Sequence, residues 1–452
     1  MNYLNSLLAA SLVAAMASHA HAAASTQDVS RLGKDLTLVG AEKAANADGS
    51  IPAYQGGLTT PPAGFKTGDS LRPDPFPNEK PLLVIDGKNV DQYKGQLTAT
   101  TVELAKRFPT FRIEVYPTHR TAALPKVLLD NTLKNASAAK SLENGMAIEN
   151  VLPGVPFPIP QNGAEAMWNH LLRYQGVAQK AKYDSWNVDA AGVAALATTG
   201  LAFNGYPIYE DLNKVIDAKD IYFQTKLYYE GPARRAGESM MIKDAANPLV
   251  QERRAWQYLP GQRRVKLAPN LAYDTPNPGT AGSGTFDDIY VFNGALDRYD
   301  WHLVGKQEMY VPYNTYRLTY IKDPKVLTTP KHLASDQVRW EKHRVWVVEG
   351  TLKGNARHIY AKRRFYLDED SWFALASDQY DARGQLYRGS YSFFTQSYDV
   401  QTPNNNPHVV YDLVGGSYNI NGLIGPHGGI EYIAPLSKAQ WSPEALAGAG
   451  IR

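Results

Sequence analysis

The strongest constraint on the fold of this chain lies in residues 254–269, where apolar and polar residues alternate on both sides of a tight turn. In the first half of the segment Trp256 and Tyr258 lie on one side, and in the second half apolar and charged residues alternate. Pro260 and Gly261 separate the two halves. A period of two on both sides of a Pro-Gly turn predicts an antiparallel β-hairpin with one apolar and one solvated face.

Similar strand-like runs recur through the second half of the chain. From residue 220 onward the period of the apolar residues changes from about 3.6 to 2. The runs predicted as strands are residues 221–229, 240–242, 252–258, 263–267, 288–292, 309–320, 338–349, 359–367, 373–380 and 386–394. Short turns between them predict a meander, and hence a large curved antiparallel sheet whose apolar face must be covered.

The first half of the chain is predicted to supply that cover. Residues 97–108 and 125–140 have the spacing of helices, and a third helix begins at Asn162 and carries Trp168 at the centre of its apolar face. Residues 30–91 are rich in Pro and Gly, which excludes regular helix and predicts an extended arm laid over the domain.

Composition excludes several classes of function. Lys and Arg number 47 against 44 Asp and Glu, and these charges are dispersed, so nucleic-acid binding has little electrostatic support. The chain has no cysteine, which excludes disulfides, thiolate metal sites and an acylated lipoprotein cysteine. The excess is aromatic, with 28 Tyr, 8 Trp and 13 Phe, and it favours β-structure with wide apolar surfaces.

The N-terminal residues predict export. Residues 4–17 form a short apolar run, and small residues follow, so a secretory signal peptide with cleavage after Ala22 is predicted. The first five residues contain no Lys or Arg, which departs from the usual positive start. No other segment approaches the roughly 20 apolar residues of a spanning helix. These features predict a periplasmic protein that does not span the membrane.

Candidate catalytic groups are few. Ser283 lies in a Gly-rich loop without the G-x-S-x-G context of a serine hydrolase. The carboxylates of Asp287, Asp288 and residues 368–370 could pair for glycoside hydrolysis, but turns favour Asp for its local hydrogen bonds. A non-catalytic protein without a cofactor is therefore predicted, and a polysaccharide or ester hydrolase stays as the weakest alternative.

Histidines and paired arginines offer two further kinds of site. His343 and His358 could face each other across neighbouring strands, an arrangement interpreted as a surface pair because no carboxylate is positioned to complete a metal site. His170 is interpreted as a helix residue bonded to nearby backbone. Residues 253–254 and 363–364 place one guanidinium on each face of a strand, where an inward one meets either an anionic head group or an acidic partner.

Two sets of segments resemble known families. Residues 254–276 and 360–388 resemble the outer-membrane lipoprotein-sorting proteins, the LolA/LolB-like carriers. Residues 51–58, 115–120 and 154–176 are similar to a proteobacterial family of exported proteins of unknown function that is placed beside those carriers, and this resemblance covers nearly the whole mature chain. It implies an α+β, β-dominated fold, in which a large incomplete antiparallel barrel wraps around a helical plug and leaves an apolar cavity for acyl chains.

Pattern and resemblance together predict how the chain is divided. The expected segments are a signal peptide (1–22), an extended arm (23–95), a helical plug region (96–215), an antiparallel half-barrel (216–435) and a C-terminal tail (436–452), with 23–435 as one cooperative domain. The chain is much longer than LolA or LolB and lacks the lipobox cysteine of LolB, which argues against lipoproteins as the cargo.

The predicted function is that of a soluble periplasmic carrier or chaperone for a lipid or another hydrophobic small molecule, in the service of envelope lipid transport. The resemblance also implies an RND-type exporter or an outer-membrane protein as partner. A non-catalytic envelope assembly or partner-binding factor is the alternative. The residues predicted to bind the ligand are apolar or aromatic: Trp168, Leu171, Leu172, Trp256, Tyr258, Trp340, Trp346, Phe365 and Trp372.

Overall fold

The computed structural model describes residues 25–269 and 271–448, so the predicted signal peptide and the last residues of the predicted tail lie outside the described residues. The strands are β1 Leu83–Asp86, β2 Arg112–Val115, β3 Lys140–Leu142, β4 Ala147–Glu149, β5 Ala178–Val188, β6 Ala194–Gly205, β7 Ile221–Gly231, β8 Ser239–Ala245, β9 Arg254–Leu259, β10 Arg264–Leu267, β11 Tyr299–Pro312, β12 Arg339–Leu352, β13 Lys362–Asp368, β14 Ala374–Tyr380, β15 Leu386–Ser392, β16 Thr395–Ser397, β17 Thr402–Asn404, β18 His408–Asp412, β19 Ser417–Leu423 and β20 Glu431–Tyr432. The α-helices are α1 Thr26–Val29, α2 Val90–Tyr93, α3 Ala99–Arg107, α4 Lys126–Ala138, α5 Gly163–Leu171, α6 Tyr316–Thr319, α7 Pro324–Leu327 and α8 Glu444–Gly448.

One large open sheet dominates the molecule. Its strands follow the order β1-β2-β12-β13-β14-β15-β18-β19-β5-β6-β7-β8-β9-β10, with β11 also paired to β12 and β20 to β5. Every pair in it is antiparallel except β2 with β12. Since β1 and β10 end the described path, the barrel is incomplete, and the predicted β-dominated α+β fold class is confirmed.

The strand order is not a single meander. Strands β7 to β10 and β12 to β15 do follow one another as predicted, but β18, β19, β5 and β6 lie between the two groups. Residues 178–205, assigned above to a helical region, form the long hairpin of β5 and β6. Lys180 and Lys182 alternate with Ala181 and Tyr183 at a period of two, so the change to strand periodicity occurs well before residue 220.

Two of the predicted strand segments also differ from the structure. Residues 288–292 are not a strand, because Tyr290 and Val291 have φ values of 55° and 72°, in the left-handed region. The run predicted over 309–320 ends as a strand at Pro312 and continues after a turn into α6.

The three predicted helices form as α3, α4 and α5, and α5 is buried against the large sheet. Asn162 caps α5, its side chain accepting a hydrogen bond from the amide of Glu165, and every residue of the helix is buried. The helix ends at Leu171. It packs against β11 and β12. A Cβ atom on Gly163 would lie 2.8 Å from the backbone of His302, so this close approach requires glycine.

The core extends over both faces of the middle strands. Val347 and Tyr366 belong to one buried cluster, whereas Val348 and Phe365 belong to the other. Because neighbouring residues of a strand point to opposite faces, β12 and β13 are covered on both sides. No helix among residues 25–269 and 271–448 has the length and apolar character that a bilayer crossing requires.

Candidate functional site

An inner cavity of about 90 Å³ lies against one face of β5 to β8. Ala181, Ala202 and Leu227 are direct cross-strand neighbours in its wall, and the two short alanine side chains leave space beside the sheet. The wall residues that these strands contribute are Ala181, Tyr183, Ala202, Asn204, Phe223, Thr225, Leu227, Tyr229 and Ile242. Their spacing of two residues is what a strand presents to one face.

The rest of the inner cavity lining forms a wall that is rich in side-chain amides. It is formed by loops and strand ends that carry Asn277, Asn293, Asn406 and Asn421, together with His408. Burial lowers the pKa of His408 to about 4, so its imidazole is neutral at neutral pH. The inner cavity therefore offers apolar contact along β5 to β8 and uncharged hydrogen-bonding groups from these amides and His408.

An outer cavity of about 420 Å³ adjoins it. Trp168 and Leu171 of α5 contribute to its lining together with Tyr222, and charged residues such as Asp297 and Arg298 contribute as well. Its volume falls in the range of roughly 300 to 1,000 Å³ that is usual for pockets that bind small molecules.

Arg253 is the charged residue that separates the two cavities, because it lines both. Its Nε donates to Asp244 Oδ1 at 2.7 Å, and its Nη2 donates to Asp244 Oδ2 at 2.8 Å and to the carbonyl of Asn293 at 3.0 Å. Burial opposes the charge, but Asp244 holds the pKa of Arg253 above its usual value. This bidentate pair therefore forms a charged partition between the inner and the outer cavity.

Six of the nine predicted ligand residues meet in one core. One buried cluster contains Trp168, Leu171, Leu172, Phe365 and Trp372. Trp346 packs against this cluster, and its ring stacks on that of Trp372 with the centroids 5.9 Å apart. Trp168 and Leu171 also line the outer cavity.

The other three predicted residues lie elsewhere. Trp340 belongs to the second core and lines a separate cavity of about 20 Å³. Trp256 and Tyr258 pack with Met241 and Trp441, under the C-terminal helix α8. Met241 directly precedes the cavity residue Ile242 in β8, so the two side chains point to opposite faces of the sheet. These three residues line neither the inner nor the outer cavity. A role in ligand binding stays a prediction for all nine.

The residues that line the inner cavity were missed at the level of sequence. The wall on β5 and β6 lies in the segment that was assigned to the helical plug, although its alternation was a usable signal. The amide-rich wall comes from residues 277–293 and 406–430, which are distant in sequence from those strands. Only the strand order that places β19 beside β5 brings these segments together.

Asp287 and Asp288, two of the carboxylates considered for hydrolysis, belong to a buried ion cluster. Arg363 Nη1 lies 2.7 Å from Asp287 Oδ2, and its Nη2 lies 3.2 Å from Asp288 Oδ1. Burial opposes ionisation, but Arg363 holds the pKa of Asp287 below its usual value. The Ser283 hydroxyl donates to the carbonyl of Thr280 at 2.6 Å.

The predicted surface pair of histidines is wrong. His343 lies in β12, opposite Met309 of β11, whereas His358 precedes β13. Both side chains are buried. Each has a carboxylate partner that the sequence did not indicate: Glu341 for His343 and Asp287 for His358, both at 3.0 Å. His170 is confirmed as a backbone-bonded histidine, since its Nδ1 accepts from the amide of Ala374 and its Nε2 lies 2.9 Å from the carbonyl of Phe292.

An open antiparallel half-barrel with a cavity under one half is thus the class that the fold defines. The sequence profile of DUF1329, described as a protein of unknown function, matches residues 84–447, and the chain belongs to this family. An uncharacterized protein of Pseudomonas aeruginosa is 40% identical over 443 residues, which cover 97% of this chain and 96% of that protein. The predicted membership in a family of unknown function is therefore confirmed.

Solved structures with a similar fold are much more distant in sequence. A candidate outer-membrane lipoprotein-sorting domain from Vibrio parahaemolyticus has 13% identity and a TM-score of 0.44, covering 63% of this chain and 98% of that one. A DUF1329 protein from Desulfovibrio piger has 14% identity and a TM-score of 0.39, covering 60% and 92%. A LolA-superfamily protein from Nitrosomonas europaea has 10% identity and a TM-score of 0.38, covering 63% and 100%.

Proposed function

We propose that the protein is a non-catalytic periplasmic carrier that binds a lipid or another hydrophobic small molecule beneath β5 to β8, and that it serves envelope lipid transport. The observation that carries the proposal is the inner cavity, whose sheet-side wall is formed largely by apolar and aromatic side chains. Protein interiors are normally close-packed, so unfilled space of this kind beside small wall residues favours a binding role.

The two cavities suggest how a ligand is accommodated. Each buried CH₂ group contributes about 0.8 kcal/mol, so an alkyl tail gains most where the wall is apolar. The inner cavity of about 90 Å³ takes only part of a long tail, and the outer cavity of about 420 Å³ offers the remaining room. In this proposal the ligand spans both cavities, and Arg253, which lines both, moves aside so that the ligand can occupy them together.

Native mass spectrometry with lipid extraction tests the proposal on protein purified from a Gram-negative periplasm. The expected result is a bound apolar molecule in the wild type and its loss in Ala202→Trp, because the larger side chain fills the inner cavity. Lys182→Trp is the matched control, since the Lys182 side chain is 42% exposed and lies on β5 next to the cavity residue Ala181. Repeated failure to find or load any ligand on the folded wild type would contradict a carrier.

A partner-binding factor is the second candidate, and the edge strand β10 favours it. Among the strands of residues 25–269 and 271–448 it pairs only with β9, and Leu267 on it is 59% exposed. Exposed edges readily accept a strand from another protein, here an RND-type exporter or an outer-membrane protein. Capture of such a partner by the Ala202→Trp protein, with undiminished affinity, would favour this candidate over the carrier.

A further inference from the structure

A second group of chemically competent side chains lies outside the two cavities. His343 of β12, Asp368 at the end of β13 and Asp370 in the following turn are all buried. One potential ligand atom from each residue lies within 4.8 Å of those of the other two. One imidazole nitrogen and two carboxylate oxygens are donors that suit ions such as Zn²⁺ and Mn²⁺.

Asp368 has an oxygen atom without a partner. Its Oδ2 accepts hydrogen bonds from the hydroxyls of Tyr313 and Ser371, at 3.1 and 2.5 Å, whereas its Oδ1 is buried and has no hydrogen-bond partner among residues 25–269 and 271–448. The adjacent carboxylates Glu369 and Asp370 are paired with cations, but within the described part of the chain no cation pairs with Asp368.

His343 is held in the way that metal-binding histidines usually are. Its Nε2 lies 3.0 Å from Oε2 of Glu341, and its ring stacks on that of Tyr313 with the centroids 3.7 Å apart. With Nε2 directed at a carboxylate, Nδ1 is the nitrogen left to bind an ion, and this carboxylate–histidine arrangement orients ligands in known metal sites.

We propose that His343, Asp368 and Asp370 bind one divalent metal ion, and that the ion ties β12 to the turn after β13. An ion held at roughly 2.0 to 2.2 Å by three atoms requires these atoms to be about 3 to 4.4 Å apart, so the arrangement needs only a small contraction. Asp370 also accepts hydrogen bonds from Arg120, at 2.8 Å from Nε and 2.6 Å from Nη2. Each carboxylate oxygen retains a second lone pair for the ion. The site is independent of the carrier function.

Titration of the full-length mature protein with metal tests this site. Protein freed of metal by a chelator is titrated calorimetrically with ZnCl₂ and, separately, with MnCl₂, and the metal content and Tm of the loaded protein are measured. One ion per chain and a higher Tm are expected for at least one of the two metals. Asp368→Asn should weaken binding at least about 10-fold, and Glu341→Gln about 10- to 100-fold, because loss of the supporting carboxylate has that effect in known sites.

His427→Asn is the matched control, because His427 forms a different histidine–aspartate pair, with Asp184 at 3.0 Å, and its loss should leave the metal affinity unchanged. The proposal is overturned if the folded wild type binds neither metal saturably, or if the affinity is the same in Asp368→Asn and Glu341→Gln as in the wild type. If Asp368→Asn does not fold, the wild type and Glu341→Gln decide the question.

Discussion

Strands β12 to β14 and strands β5 to β8 belong to one sheet, but their side chains fill space differently. In the first group, large residues such as Phe365 and Tyr366 are buried on opposite faces of the same strand. In the second group, Ala181 and Ala202 stand side by side and border an empty cavity. Side-chain size on neighbouring strands therefore decides where an open sheet is covered by tightly packed core and where it borders a cavity.

The two regions also differ in how they hold charge. The β12 to β14 region contains dense ion clusters, including the pairs of Arg363 with Asp287 and Asp288. The inner cavity has one charged lining residue, Arg253, and Asp244 neutralises it. A ligand in the inner cavity thus meets no uncompensated charge, which suits an apolar or neutral molecule better than an ionic one.

Arg363→Met gives the largest expected difference between the regions. It removes the cation from two buried carboxylates, so unfolding free energy should fall by about 3 to 5 kcal/mol. Urea unfolding followed by circular dichroism measures the change. Arg383→Met is the control, because its pair with Asp381 is exposed and should cost less than about 1 kcal/mol. Equal losses in both variants would show that the buried cluster is not specially stabilising.

Phe365→Ala tests the packing difference directly. Phe365 is fully buried, and its truncation should lower the unfolding free energy by about 3 to 4 kcal/mol. Leu227→Ala, at the inner cavity, should cost only about 1 to 2 kcal/mol, because the leucine already borders unfilled space and loses fewer contacts. Similar losses from the two truncations, in the same urea experiment, would mean that the cavity half is packed as tightly as the core.

The sequence predicted more of the structure around β12 to β14 than of the structure around β5 to β8. Alternation located most of β7 to β15, since a half-buried or buried strand must place apolar residues at a period of two. It also placed Trp256 and Tyr258 on one face correctly, but it could not show that α8, far along the chain, covers that face. The turn at residues 368–370 looked local, whereas Arg120, the partner of Asp370, is 250 residues away. Such long-range pairs follow from the strand order, which local patterns do not encode.

The unfolding free energy should fall in acid because of His408, in the amide-rich wall of the inner cavity. The pKa of His408 is lowered to about 4 by burial, from a usual 6.5, so the folded state binds a proton less readily than the unfolded state. Its stabilising contribution is therefore complete above pH 6.5 and is lost as the pH falls towards 4, by up to about 2 to 3 kcal/mol.

The measurement is the difference in unfolding free energy between the wild type and His408→Asn at pH 7 and at pH 4.5. The advantage of the wild type over the variant should shrink on acidification. Other buried histidines such as His170, whose pKa burial also lowers, act equally in both proteins and cancel in this difference. A difference that does not depend on pH would mean that His408 is solvated in solution.

Arg253→Met should have the smallest effect on stability and a kinetic effect on ligand uptake. Asp244 also lines the outer cavity, so water there can partly solvate the carboxylate that loses its partner, and the expected loss of unfolding free energy is about 1 to 2 kcal/mol, below that of Arg363→Met. Removal of the charged partition should speed the uptake of an uncharged apolar fluorophore, measured by stopped flow. Arg254→Met is the matched control, because Arg254 is the neighbouring residue, is exposed and points to the other face of the sheet. If both variants take up the fluorophore at the wild-type rate, Arg253 does not control passage, and the two cavities function separately.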